Sequence, residues 1–238
     1  MHKLQKKYKK QIEELTEASI RASKLGYVAS HGGNLSYRVD DDVVLITPTK
    51  VAKRRVDFDS VCIIRMNGEV LYAKEGQKPT GETPLHTHVF EMRHDIKAIV
   101  HAHPPVLTGF AIAHNDELSK AILPEPILEL GPVLSTPYEE PLTDKLANAI
   151  DKVIDKTNVF LMENHGVSVM SYEGIERALD LLEMLEGMAQ SVLVAKQLGN
   201  IEYISKEEVK NLDTVCKTRS LPYPGKPGEF DSLVKAYK

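Results

Sequence analysis

A chain of 238 residues with 42% hydrophobic and 27% charged residues has ordinary globular composition and is neither fibrous nor disordered. Its formal net charge of −4 gives no global basic field for nucleic acid or anionic lipid, and no apolar run reaches membrane-spanning length. The basic N-terminus lacks the apolar segment of a secretory signal, and Cys62 and Cys216 match no metal or redox spacing, so a soluble, cytoplasmic protein with two reduced thiols is expected.

Residues 3–24 read as a helix. Leu4, Tyr8, Ile12 and Leu15 recur at helical spacing, and Gly26 follows as a stop. The lysines at 3, 6, 7, 9 and 10 form a solvated face, because Glu13, Glu14 and Glu17 dilute their charge at once. The loop Ser30-His31-Gly32-Gly33-Asn34 leads into a strand over 35–39, and a second strand follows over 43–47. Strands over 61–66 and 69–72 flank Asn67-Gly68, a strong hairpin signal. Thr83-Pro84 opens a helix that runs to about 94. An apolar strand over 97–103 is halted by Pro104-Pro105, where a helix to about 114 begins.

Residues 115–141 read as irregular, with prolines punctuating short strands. A helix is expected over 142–154, strands over 158–162 and 166–170, and helices over 173–198 and 205–215. From about 216 to 238 the chain reads as an extended, proline-rich tail. With no repeat, low-complexity block or linker, residues 1–238 read as one α/β domain, a central and largely antiparallel sheet covered by helices.

The chemistry concentrates in three histidines. His101 and His103 are two apart on a strand and so share a face, while His165 sits in the kink Asn164-His165-Gly166. Three imidazoles leave a zinc-type site one ligand short of a closed tetrahedron, and an open position is what a catalytic metal needs. Manganese and cobalt also accept imidazoles. A structural zinc would need a fourth protein ligand, and neither cysteine is near the histidines in sequence. Among the other histidines, His2 and His94 read as exposed and His114 as a helix end, while His86 and His88 diverge on their helix. His31 keeps some claim on a site through its glycine loop.

Glu82 directly precedes the Thr83-Pro84 helix start. It can cap that helix, the favoured reading for the residue alone, or project into a site. Thr80-Gly81 offers a hydroxyl and approachable N–H groups beside a helix N-terminus, which suits an anion. Gly32-Gly33-Asn34 and Thr47-Pro48-Thr49-Lys50 could add to that.

The ordered series Gly33-Asn34-Leu35-Ser36, Ile46-Thr47-Pro48-Thr49, Pro79-Thr80-Gly81-Glu82, His101-Ala102-His103 and Asn164-His165-Gly166 resembles the class II aldolase/adducin family, over roughly residues 10–200. The resemblance implies a homotetramer of three-layer α/β/α subunits with zinc-dependent active sites at subunit interfaces. It assigns the metal to His101, His103 and His165 and the acid/base role to Glu82. It places a substrate phosphate among Asn34, Thr49, Lys50, Thr80 and Gly81. Lys50 stands where the family's aldolase and epimerase usually carry glycine, and Thr80-Gly81 replaces their Ser-Ser. The aldolase's interface tyrosine has no clear counterpart in 123–129.

The activity implied is reversible retro-aldol cleavage of a ketose phosphate, of the L-fuculose 1-phosphate type, through a zinc-stabilised enediolate. The products are dihydroxyacetone phosphate and an aldehyde. The same site also serves L-ribulose-5-phosphate 4-epimerase-like chemistry or sugar-acid decarboxylation, to which Lys50 adds a cation for a carboxylate. A non-catalytic adducin-like scaffold is the remaining alternative; that head lacks the complete set that His101, His103, His165 and Glu82 form here.

Overall fold

The computed structural model describes residues 1–237. Its first helix is two, α1 (Lys3–Lys7) and α2 (Lys9–Lys24). The break falls at Tyr8, which leaves helical dihedrals, buries its ring and donates its hydroxyl to Asp40 at 3.1 Å. Strands β1 (Asn34–Asp40), β2 (Val43–Ile46), β3 (Cys62–Ile64) and β4 (Val70–Tyr72) follow as an antiparallel run. The Asn67-Gly68 turn joins the last two, with Gly68 at φ +85°, a conformation that glycine adopts freely.

Helix α3 (Thr83–Met92), strand β5 (Ala98–Ala102) and helix α4 (Pro105–Ile112) stand where the sequence put them. The stretch expected to be irregular contains helix α5 (Pro124–Glu129) and strand β6 (Leu134–Thr136). Proline in the first turn of α5 loses no hydrogen bond, so it starts the helix instead of breaking it. The helix expected over 142–154 is shorter: α6 (Asp144–Ala149) passes into a 3₁₀ turn, and Leu142 has φ +66°. Strands β7 (Val159–Met162) and β8 (Gly166–Ser171) precede helices α7 (Ile175–Leu198), α8 (Lys206–Arg219) and α9 (Leu233–Ala236).

The extended tail expected from 216 onward is corrected in two places. Helix α8 runs on to Arg219, and α9 forms close to the end. Burial is the cause, because Cys216, Val209, Leu233 and Ile127 of α5 bury one another in a small apolar cluster. Asp213 secures it by accepting the Leu233 N–H at 2.9 Å.

The strands make one eight-stranded sheet in the order β4-β3-β2-β1-β5-β8-β7-β6. Its pairs are antiparallel except β6–β7, so the α/β class with a largely antiparallel sheet agrees with the sequence. Alternating side chains feed two cores. Leu45, Ile63, Val100, Leu161 and Val169 pack with α2, α4 and α7 on one face. Val44, Ile64, Ile99, Phe160 and Met170 pack with α3 and α6 on the other. Each such side chain contributes about 1.5–3 kcal/mol when fully buried, which holds β5 rigidly between β1 and β8.

Candidate metal centre

Register sets the centre. On β5, His101 lies opposite Asn34 of β1 and Ser168 of β8. Val100 and Ala102 point toward α7, so His101 shares the α3 face with Ile99. His103 stands just past the strand, where its N–H donates to the Tyr27 carbonyl at 2.8 Å. His165 occupies the tight turn between β7 and β8, with its N–H on the Met162 carbonyl at 3.0 Å. Asn164 takes φ +55° to make that turn, a conformation asparagine tolerates better than most residues.

The three rings converge. One ring nitrogen from each lies within 4.8 Å of those of the others, and His101 Nε2 is 3.2 Å from His103 Nε2. The Val167 carbonyl lies 3.0 Å from His101 Nδ1, so Nδ1 carries the proton and the Nε2 lone pair faces the cluster. His165 Nδ1 is buried without a hydrogen bond. Burial, with further lowering from neighbouring imidazoles, pushes His101 down to about 3. Burial also lowers His103. Three imidazoles with converging ring nitrogens are a donor set that a divalent metal accepts, and these residues fit one.

Glu82 projects inward. It is the N-cap residue of α3 but makes no side-chain capping bond. Its Oε2 lies 3.4 Å from His101 Nε2 and its Oε1 lies 3.4 Å from His165 Nε2. Burial raises its pKa, but His101, His165 and a hydrogen bond from Asn34 lower it by more, so the carboxyl sits below the usual range.

The other candidate residues divide between the centre and its rim. Asn34 is buried and donates its amide to Glu82 at 2.6 Å. Thr80 is buried and its hydroxyl accepts the Glu82 N–H at 3.3 Å. Thr49 donates its N–H to the Lys78 carbonyl at 2.9 Å, and Thr80 donates its own to Thr47 at 3.1 Å. The loops 47–50 and 78–81 are thereby joined edge to edge. Lys50 is exposed on this rim at φ +57°. Gly81 is exposed, and a Cβ there would meet the Leu142 side chain at 2.8 Å.

Two residues here were missed from the sequence. His86 is fully buried on α3, with its ring on Asn34 and Ser36, whereas His88 diverges outward to Asp151 at 2.6 Å, as helix geometry demands. The available signal was the spacing of Glu82 and His86, four residues apart and so on one helix face. Lys53 is 1% exposed. Its Nζ donates to the His31 and Val51 carbonyls at 3.1 and 3.4 Å, and it makes no ion pair among the described residues. Burial lowers it to about 8, against the attraction of Glu82. The His31 ring itself is exposed against Ser30.

The fold and this cluster define an α/β protein with a centre suited to a divalent metal and a carboxylate facing it. Residues 13–193 match the family model of the Class II Aldolase and Adducin N-terminal domain, and the chain belongs to that family. It is 32% identical over 191 residues to 3-oxo-tetronate 4-phosphate decarboxylase of Haemophilus influenzae, covering 79% of this chain and 89% of that one. It is 30% identical over 207 residues to 5-deoxy-D-ribulose 1-phosphate aldolase of Bacillus thuringiensis, covering 85% and 93%. The crystal structure of YgbL from Klebsiella pneumoniae superposes with a TM-score of 0.77 at 28% identity, covering 86% and 98%. No helix among the described residues is long and apolar enough to cross a membrane.

Proposed function

We propose that this protein is a metal-dependent lyase that decarboxylates a short phosphorylated 3-oxo sugar acid. The carrying observation is Glu82, whose two oxygens each lie 3.4 Å from a ring nitrogen of a different histidine in the cluster. His101, His103 and His165 are assigned as ligands. When bound, the metal, with zinc our assignment, supplies Lewis acidity toward the adjacent oxygens of the substrate.

The chain's own groups do the rest. The bond to the carboxylate carbon breaks, CO2 leaves, and the electron pair stays on the former α-carbon as an enediolate. Glu82 then conducts a solvent proton to that carbon. For a 3-oxo-tetronate 4-phosphate the product is dihydroxyacetone phosphate. Lys50, exposed on the rim, is the cation assigned to an anionic group of the substrate. Thr49, Thr80 and Gly81 complete the substrate rim, and Asn34 holds Glu82. The similarity to the Haemophilus decarboxylase supports this choice of substrate class.

A second reading, retro-aldol cleavage of a ketose 1-phosphate, draws on the similarity to the Bacillus aldolase. It reaches the same enediolate by expelling an aldehyde in place of CO2. A homotetramer in the cytoplasm goes with either reading. The exposed Ile112, Leu193, Val194 and Leu198 on α4 and α7 favour association.

The deciding experiment supplies the metal-loaded protein with 3-oxo-tetronate 4-phosphate and, separately, with a panel of ketose 1-phosphates. Dihydroxyacetone phosphate is followed together with CO2 or aldehyde. Chelator-sensitive CO2 release supports decarboxylation, and aldehyde release without CO2 moves the assignment to the aldolase. Stoichiometric metal with neither product would overturn both.

A further inference from the structure

Two residues at i and i+2 on a strand are about 6.6–7 Å apart, and two at i and i+4 on a helix are about 6 Å apart. Asn34 and Ser36 of β1 face Glu82 and His86 of α3 at this matched spacing. The four side chains join in an unbroken line, all buried. Asn34 donates Nδ2–H to Glu82 Oε2 at 2.6 Å. Its Oδ1 is therefore turned toward His86 Nε2, which must be the donor there. His86 Nδ1 is then left to accept the Ser36 hydroxyl proton, at 2.6 Å. Every bond in the line points the same way, with its donors directed toward Glu82.

We propose that His86 is a positioning residue that fixes the orientation of the Glu82 carboxylate through Asn34. Asn34 spans the line, with one amide N–H given to Glu82 and its oxygen taken by His86. Neither residue hydrogen-bonds to the histidine cluster among the described residues, although Asn34 lies opposite His101 across the β1–β5 pair. Their effect is to stop rotation of a carboxylate whose two oxygens must each face a different ring. A misplacement of about 1 Å at such a group costs up to ~100-fold in rate. The inference rests on the acid/base role proposed for Glu82.

The first measurement is independent of activity. Long-range ¹H–¹⁵N correlation of the metal-loaded protein is expected to show His86 as a neutral imidazole protonated at Nε2. A proton on Nδ1 overturns the line. The second uses the substrate that the panel above identifies, with three variants. His86→Leu is expected to lower kcat by roughly 10- to 100-fold, with KM within about threefold and metal content unchanged. His86→Gln, which keeps an N–H donor toward Asn34, is expected to recover most of that loss. His88→Ala, on the outer side of the same helix, is expected to match the wild type. Equal loss in the Leu and Gln variants, with both folded by thermal melt, overturns the positioning role. An inactive Glu82→Gln beside a fully active His86→Leu overturns this inference alone. An active Glu82→Gln instead removes the acid/base reading on which it rests.

Discussion

Gly166 lies directly beneath His103: a Cβ at position 166 would stand 2.5 Å from the ring Cδ2 and 2.6 Å from the Ala102 carbonyl oxygen. No real Cβ tolerates either approach, so β8 begins with glycine in order that the ring can lie over it. Gly166→Ala is expected to push His103 out of the cluster and weaken divalent-metal binding by at least about tenfold. Competition with a chromophoric chelator measures this, and an unchanged affinity would show that His103 is not held by that contact.

Behind the same histidine, Glu186 of α7 accepts the N–H groups of Val106 and Leu107, both at 3.0 Å. It thereby satisfies the first turn of α4, whose own leading residue is proline. Glu186→Ala strands two donors and is expected to cost about 3 kcal/mol in urea unfolding. A loss below about 1 kcal/mol would mean that water replaces the carboxylate.

Arg93 is fully buried. It grips Asp95 through two bonds at 2.8 and 2.9 Å and donates to the carbonyls of Ile154, Thr157 and Gly225. Arg93→Met is expected to destabilise by about 3–5 kcal/mol, as breaking buried ionic networks does. It should also release the segment around 225, read as faster proteolytic nicking there. Nicking at the wild-type rate would count against that tie.

Lys53 carries a pH signature. Burial holds it at about 8 in the folded protein against the ordinary 10.5, so between those values the unfolded chain binds more protons than the folded one. Its contribution to stability therefore rises with pH across that window. The difference in Tm between the wild type and Lys53→Met should shift in favour of the wild type from pH 8 to pH 10.5. A difference that stays flat across the window would contradict a buried, depressed ammonium.

The convergence of His101, His103 and His165 was legible in the sequence because strand spacing and a kinked turn are local facts. The strand positions are local in the same way, since alternation declares itself within a few residues. What escaped depends on the partner across the fold. His86 looks like any helical histidine until β1 brings Asn34 and Ser36 against it. Lys53 looks solvated until the 30–33 loop folds over it. Helix α9 exists because Leu233 finds Ile127, more than a hundred positions earlier, and no window of sequence contains both. The break at Tyr8 has the same origin, in a hydroxyl reaching Asp40.

The sheet separates two tasks that many enzymes entangle. Of the candidate ligands, His101 sits on β5, His103 just beyond it and His165 in the turn between β7 and β8, and the strands that carry them are packed by cores on both faces. The candidate substrate contacts hang on the stitched loops 47–50 and 78–81 at the rim. On the proposed reading, a change of leaving group would fall on those rim residues and leave the histidine cluster untouched. A mutational library confined to those two loops is accordingly the shortest route from this chain to a neighbouring chemistry.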